Sequence, residues 1–318
     1  MWPLRPNRRA EAALALLLLA SAPAPASPAE IGVVVGARSI QPGELTVFTM
    51  TTTEPVDSMR LRAFDREIPA FQDDRLTWRA LVGVDLGVPP KTYPVAIDAK
   101  AGAQSIHTTY DLRVEPRRFP TRTLSVDEAF VTPPAALRDR ILQEAAELQA
   151  LWTRSGPRRL WTGPFVLPVP GRAVSRFGTR SVFNGKPRSP HAGADFLSPA
   201  GTPIEAPNAG RVVLARNLYF SGNTVVIDHG LGLFSTLAHL SEFEVREDEQ
   251  VVAGQIVGRV GATGRVTGPH LHWAVRASGA RIDPLSLLAL LGSIAPEPRG
   301  VRVIGHGGHG GHAVKTSG

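Results

Sequence analysis

Glycine and proline fall so often along this chain that little room is left for long helices. There are 31 Gly and 28 Pro in 318 residues, and the apolar stretches between them are short and rich in β-branched residues. Gly and Pro interrupt regular structure, and runs of four to eight β-branched or alternating residues bounded by them read as strands. The chain is therefore expected to be mainly β. Hydrophobic residues make up 43% of it, enough for sizeable cores, and the length allows two domains at roughly 100–200 residues each. Cysteine is absent, which excludes disulfides, thiolate metal sites and a cysteine nucleophile.

The first residues read as an export signal. Arg5, Arg8 and Arg9 precede an apolar run, Ala12 to Ala20, and Ala24-Pro25-Ala26 supplies small residues at a cleavage point. That run is short for a membrane span. Residues 1–26 are thus expected to be removed, leaving an exported, periplasmic or envelope-associated protein with no stable membrane span. The competing reading is a retained N-terminal anchor. An exported chain without disulfides leans on its cores or on bound metal for stability. Loss of three Arg and one Glu lowers the formal net charge from +7 to +5. The remaining basic residues are scattered, so no nucleic-acid partner is expected. The excess reads as weak attraction for an anionic polymer such as cell wall, or as ordinary surface charge.

Residues 30–115 carry strand candidates at Ile31–Val35, Leu45–Met50, Leu76–Val84, Tyr93–Asp98 and Ile106–Val114. Turn residues such as Gln41-Pro42-Gly43 and Lys100-Ala101-Gly102 separate them. This spacing predicts a small, Ig-like β-sandwich. His107 reads as an ordinary strand residue. Residues 116–164 read as a linker containing one helix, Pro134–Arg154. Its apolar face runs through Leu137, Ile141, Leu142, Ala145, Leu148, Leu151 and Trp152, with Thr132 as a cap and Gly156-Pro157 as the stop. From Phe165 to residue 292 the pattern is β again, with strands at Arg211–Ala215, Thr224–Asp228, Leu233–Ala238, Ile256–Val260 and Leu271–Arg276. Pro284–Leu291 reads as a short helix. Residues 293–318 form a Gly-rich tail with His306, His309 and His312, expected to be disordered. Nothing in the sequence indicates an oligomeric state.

Five side chains of the second β segment stand apart: His191, Asp195, His239, His270 and His272. Imidazole and carboxylate are good zinc ligands, and a catalytic zinc site takes three of them and a water. Three of the five can close such a site, and two remain for acid–base work. Pro190 and Gly193 argue that His191 and Asp195 lie on an extended or looped path, not a helix. Gly268-Pro269 opens a strand on which His270 and His272, at i and i+2, project from one face. His239 ends a strand candidate. His229, just before a Gly-x-Gly turn, competes for a ligand role but reads as structural.

These residues stand in a wider pattern: Ser175-Arg176-Phe177-Gly178, His191-x-x-x-Asp195, Gly201-Thr202-Pro203, Asp228-His229-Gly230, Ala238-His239-Leu240, and Thr263-Gly264-Arg265-Val266-Thr267-Gly268-Pro269-His270-Leu271-His272. In order and spacing the pattern resembles the lysostaphin-type, LytM-like zinc metalloendopeptidases that cut peptide cross-links of bacterial cell wall. The resemblance covers roughly residues 170–290. It implies a C-terminal antiparallel β metallopeptidase domain with one zinc ion per chain, held by His191, Asp195 and His272. His239 and His270 would be the catalytic histidines, His270 as general base and His239 as donor to the developing oxyanion, with exchange of the two left open. The chain departs from the family at Leu237, where many members have Tyr, and at Ala274, where many have Glu. The implied function is hydrolysis of peptidoglycan cross-links by metal-activated water, D-alanyl cross-links first and glycine bridges as the alternative. Tyr219 and Phe220 would wall a substrate groove. The reading from a different class is a non-catalytic, cell-wall-binding activator of other wall hydrolases.

Overall fold

Alternation of buried and exposed side chains organises residues 30–115 into strands with one face on a core. In the computed structural model, which describes residues 30–125 and 127–292, these are β1 (Ile31–Ala37), β2 (Leu45–Thr52), β3 (Ser58–Ala63), β4 (Arg66–Gln72), β5 (Thr77–Gly83), β6 (Thr92–Ala101) and β7 (Gln104–Arg113). They run antiparallel in the order β1-β2-β5-β4-β3-β6-β7. The sheet turns through β4, so both halves contribute to one core: Phe48 and Met50 from β2 meet Leu61 of β3, Ile97 of β6 and Leu112 of β7. Strands β3 and β4 carry no sequence signal of the kind the other five show. Arg60, Arg62, Arg66 and Glu67 dilute their hydrophobicity, and only Met59, Leu61 and Ala63 of β3 point inward. The turn between them places Phe64 and Asp65 at φ of 52° and 57°, a hairpin conformation usually marked by Asn or Gly.

The connector after the sandwich carries secondary structure among its described residues. β8 (Thr121–Leu124) pairs in parallel with β10 (Arg180–Phe183), and α1 (Glu128–Val131) is capped by the Asp127 carboxylate. Thr132 ends α1, and its N–H donates to the Glu128 carbonyl. The longer helix is a 3-10 turn, Ala135–Leu137, followed by α2 (Arg138–Leu151). Its apolar packing comes from the C-terminal half. Leu148, Leu151 and Trp152 meet a small cluster of Leu214, Leu218, Val226 and Phe234, while Leu142 is 68% exposed.

The C-terminal strands are β9 (Ala173–Ser175), β10, β11 (Lys186–Pro187), β12 (Gly193–Phe196), β13 (Pro203–Glu205), β14 (Gly210–Leu218) and β15 (Gly222–Asp228). They continue with β16 (Leu233–Phe243), β17 (Gln250–Val251), β18 (Ile256–Val260), β19 (Leu271–Ala277) and β20 (Ala280–Ile282), and α3 (Pro284–Leu291) closes the described chain. The main sheet is antiparallel in the order β17-β14-β15-β16-β19-β12-β9, with β18 on β16 and β20 on β19. Trp273, Phe165, Phe196, Ile204 and Leu237 fill its core. The expected mainly β architecture holds, with every C-terminal strand candidate inside an observed strand.

The two β bodies share that core. Leu45 and Leu81 of the sandwich lie in one cluster with Ala280, Ile282 and Leu287. The Leu45 N–H donates to Ser286 Oγ at 2.9 Å. Arg281 forks onto Asp85, and Arg38 and Arg117 converge on Glu44 and Asp283. No helix among the described residues is long and apolar enough to cross a membrane. The expected signal and the His-bearing tail lie outside the described residues.

Candidate metal centre and cleft

Strand register assembles the centre. β12 and β19 pair so that Asp195 stands opposite His272, and β16 and β19 pair so that Ala238 stands opposite His272. His270 enters β19 through a bridge to Gly261, so His270 and His272 leave the same face of the strand. His191 lies on an extended approach to β12, tied by hydrogen bonds between its backbone and Gly178 and Thr179.

Three donor atoms converge. His191 Nε2 is 2.9 Å from Asp195 Oδ1 and 3.0 Å from His272 Nδ1, and His272 Nδ1 is 2.8 Å from Asp195 Oδ1. His191 Nδ1 lies 3.2 Å from the Arg176 carbonyl. A carbonyl only accepts, so Nδ1 carries the proton and Nε2 presents a lone pair. That lone pair and the carboxylate oxygen repel unless a cation sits between them. An ion with bonds of about 2.0–2.1 Å reaches all three atoms. The donor set, two imidazoles and one carboxylate, therefore fits a zinc-like ion with a position to spare, and no other His, Asp or Glu trio among the described residues gathers in this way.

Gly193 makes room for the triangle. A Cβ at that position would stand 2.7 Å from His272 Cε1, 2.8 Å from its Nε2 and 2.5 Å from the Trp273 carbonyl. Any side chain there would displace His272 or the strand.

The other two histidines are held by their Nδ1 atoms. His239 Nδ1–H donates to the Thr263 carbonyl at 2.9 Å, and His270 Nδ1–H to the Gly268 carbonyl at 2.8 Å. Each therefore has its Nε2 lone pair unengaged by those carbonyls. Their ring centroids are 4.9 Å apart, and His270 Nε2 lies 3.8 Å from Asp195 Oδ1. His239 adopts φ +69° where the β15–β16 register shifts. A bulge of this kind re-aims a side chain and stores strain at a site. Thr263 is itself fixed: its Oγ1 donates to the Leu240 carbonyl and accepts from the Asn223 N–H. Gly264 lets that loop touch the sheet, since a Cβ there would lie 2.4 Å from the Gly222 nitrogen.

Burial and the neighbouring His272 and His270 push the His239 pKa down to about 3, so it is a neutral imidazole. Burial likewise lowers His272. For Asp195, burial pushes upward, but the imidazole rings of His191 and His272 that face it outweigh this and hold the carboxyl far below its usual range.

The centre opens into a cleft of about 320 Å³ lined by the five side chains together with Phe183, Phe220 and three arginines, Arg122, Arg188 and Arg265. Phe220 faces this cleft. The Tyr219 hydroxyl donates to the Ala129 carbonyl at 2.8 Å, and its ring meets Phe220 edge to face. His229 stands apart from the centre, fully buried, between the Ala209 carbonyl and Ser235 Oγ. Leu237 is a core residue, and Ala274 pairs with Gly193. Sequence reasoning passed over Thr263 and the three arginines. Thr263 and Arg265 sit in the segment before His270, which could have pointed to them. Arg122 arrives from the connector, with no local signal.

Residues 189–284 match the family model of peptidase family M23. A crystal structure of a putative peptidase M23 from Pseudomonas aeruginosa is similar at 31% identity and a TM-score of 0.61, covering 79% of this chain and 96% of that one. The peptidoglycan DD-endopeptidase ShyA of Vibrio cholerae is 39% identical over 127 residues, 40% of this chain and 30% of ShyA. The DD-carboxypeptidase/endopeptidase Mpg of Neisseria meningitidis is 40% identical over 97 residues, 30% of this chain and 22% of Mpg. The chain thus spans under a third of the length of these two relatives.

Proposed function

The chain belongs to peptidase family M23, a metal-dependent family, and on that footing we propose that it is a zinc endopeptidase hydrolysing peptide cross-links of bacterial peptidoglycan. His191, Asp195 and His272 hold one zinc ion, and His239 and His270 act beside it. The observation that carries this reading is the convergence of three metal-ligating atoms within 2.8–3.0 Å of one another, next to two imidazoles with free Nε2 atoms in an open cleft. The names of ShyA, a peptidoglycan DD-endopeptidase, and Mpg, a DD-carboxypeptidase/endopeptidase, favour a D-alanyl cross-link as the bond cut.

When bound, zinc supplies two things: a lower pKa for water, from 15.7 toward about 7, and polarisation of the scissile carbonyl. The protein's residues do the rest. His270 accepts the proton of the attacking water at Nε2, because its Nδ1–H is committed to the Gly268 carbonyl. It then returns that proton to the leaving amine. His239, a neutral imidazole whose Nδ1–H is committed to the Thr263 carbonyl, accepts a hydrogen bond from the reacting water at Nε2. It can donate to the developing oxyanion only by taking up that water's second proton, which leaves to solvent with the products. The bulged backbone and the Thr263 carbonyl fix its direction. Residues 1–26 direct export to the periplasm or envelope, where such a polymer lies.

Digestion of defined muropeptides with mass analysis of the products tests this reading. Products split at the cross-link support it. Intact muropeptides with a zinc-loaded protein would favour a wall-binding role without catalysis.

A further inference from the structure

Three guanidinium groups line the cleft together with the five His and Asp side chains. Asp195 is the one carboxylate on that lining, and His191 and His272 already engage it. Among the described residues none of the three arginines is paired with an acid. Arg122 donates from Nε to Ser181 Oγ at 3.2 Å and from Nη1 to Ser175 Oγ at 3.1 Å. Arg188 donates from Nη2 to the Val131 carbonyl at 2.6 Å, and its Nε is buried without a partner. Arg265 stands over the Phe183 and Phe220 rings, its guanidinium carbon 5.2 Å and 4.7 Å from their centroids.

Stacking on aromatic faces orients a guanidinium and leaves its N–H edge for another acceptor. Among the described residues none accepts a hydrogen bond from the Arg265 side chain. Burial first, and then the adjacent Arg188 cation, lower its pKa against an opposing pull from Tyr219. Like charges held together in a partly dry cleft cost free energy until an anion joins them. A bound metal ion would add positive charge beside them.

We infer that Arg265 and Arg188 form an anion subsite that takes a free carboxylate of the peptide substrate next to the scissile bond. The inference rests on the peptidase reading and narrows its substrate class. A stem peptide with free carboxylates supplies the anion, and a bidentate guanidinium–carboxylate pair supplies direction as well as attraction. An uncharged glycine bridge offers nothing to these groups. The subsite acts on a part of the substrate that does not react, so its loss weakens binding.

Two probes test it: a D-alanyl-linked stem-peptide dimer with its carboxylates free, and the same dimer with them converted to carboxamides. Binding is measured by calorimetry on the zinc-loaded His270→Ala protein, where no turnover is needed, and cleavage is measured on the unaltered protein. The carboxylate dimer is expected to bind about 10–100-fold more tightly than the carboxamide, the range of one or two charge-assisted hydrogen bonds. Arg265→Met added to that background should erase the preference, with zinc content and carboxamide binding unchanged, and Arg265→Lys should restore part of it. Should Arg265→Met fail to fold, Arg188→Gln carries the same comparison. Equal binding of the two dimers, or an equal loss for both in the variant, overturns the subsite. A protein that prefers the carboxylate dimer yet cleaves neither keeps the subsite and removes the peptidase reading.

Discussion

Asp195 and His272 are direct cross-strand partners, and that pairing sets Oδ1 of one 2.8 Å from Nδ1 of the other. Sheet register therefore fixes two of the three candidate metal ligands, and His191 joins them from the segment before β12. A one-residue slip of β12 against β19 would send one donor to the opposite face. Asp195→Ala and His272→Ala are each expected to drop zinc content from one per chain toward zero while the far-ultraviolet circular dichroism spectrum is retained. Zinc retained at one per chain in either variant removes that residue from the site.

Gly193 gives a test that leaves every donor in place. Because a Cβ there meets His272 at 2.7 Å, Gly193→Ala should weaken zinc binding by about 10–100-fold, the usual cost of disturbing a ligand's support. Competition with a chelator of known affinity measures it. Unchanged affinity would mean that the ring position of His272 is not set by this contact.

His239 and His270 should separate binding from chemistry. Either one changed to Ala is expected to keep one zinc per chain and to lose roughly 10²–10⁴-fold in kcat, the range of general acid–base help. Muropeptide turnover and metal analysis on the same samples check it. Normal turnover in His270→Ala would end its role as base.

The interface between the β bodies should be acid-sensitive. Burial raises the Asp85 pKa, but hydrogen bonds from Arg281 and the Gly87 N–H outweigh it and bring the value down to about 2. A carboxyl depressed in the folded state stabilises the fold above its unfolded pKa of about 3.9, and that stability is lost as pH falls through the folded value. The loss should thus fall between about pH 4 and pH 2. Arg281 is about a third exposed, so solvent screening limits the effect to at most about 1–2 kcal/mol. Urea unfolding of Asp85→Asn should show lower stability than the unaltered protein at pH 7 and a shrinking difference toward pH 2. A constant difference across that range contradicts the account.

How much of this could be read in advance varied with the physics of each part. Strands with β-branched runs, such as β1 and β15, announce themselves because both their packing and their propensity point one way. β3 and β4 do not, because their outward Arg and Glu positions dominate the composition. The grouping of residues 191, 195 and 272 was implied by the family resemblance, and i, i+2 geometry placed only His270 and His272 on one face. The αL bulge at His239 had no local signal, since nothing about a His in Ala238-His239-Leu240 requires φ +69°. The cleft wall built by β8 was also hidden. Arg122 reaches the site only because Thr121–Leu124 pairs in parallel with Arg180–Phe183, a contact between segments about sixty residues apart.

X-ray absorption at the zinc edge of the purified, metal-loaded protein probes the coordination directly. The expected shell is two imidazole nitrogens, one carboxylate oxygen and a solvent oxygen, with bonds near 2.0–2.1 Å. A shell with three or more imidazoles would draw His239 or His270 into the ligand set and contradict the division between metal-holding and proton-handling residues on which the mechanism stands.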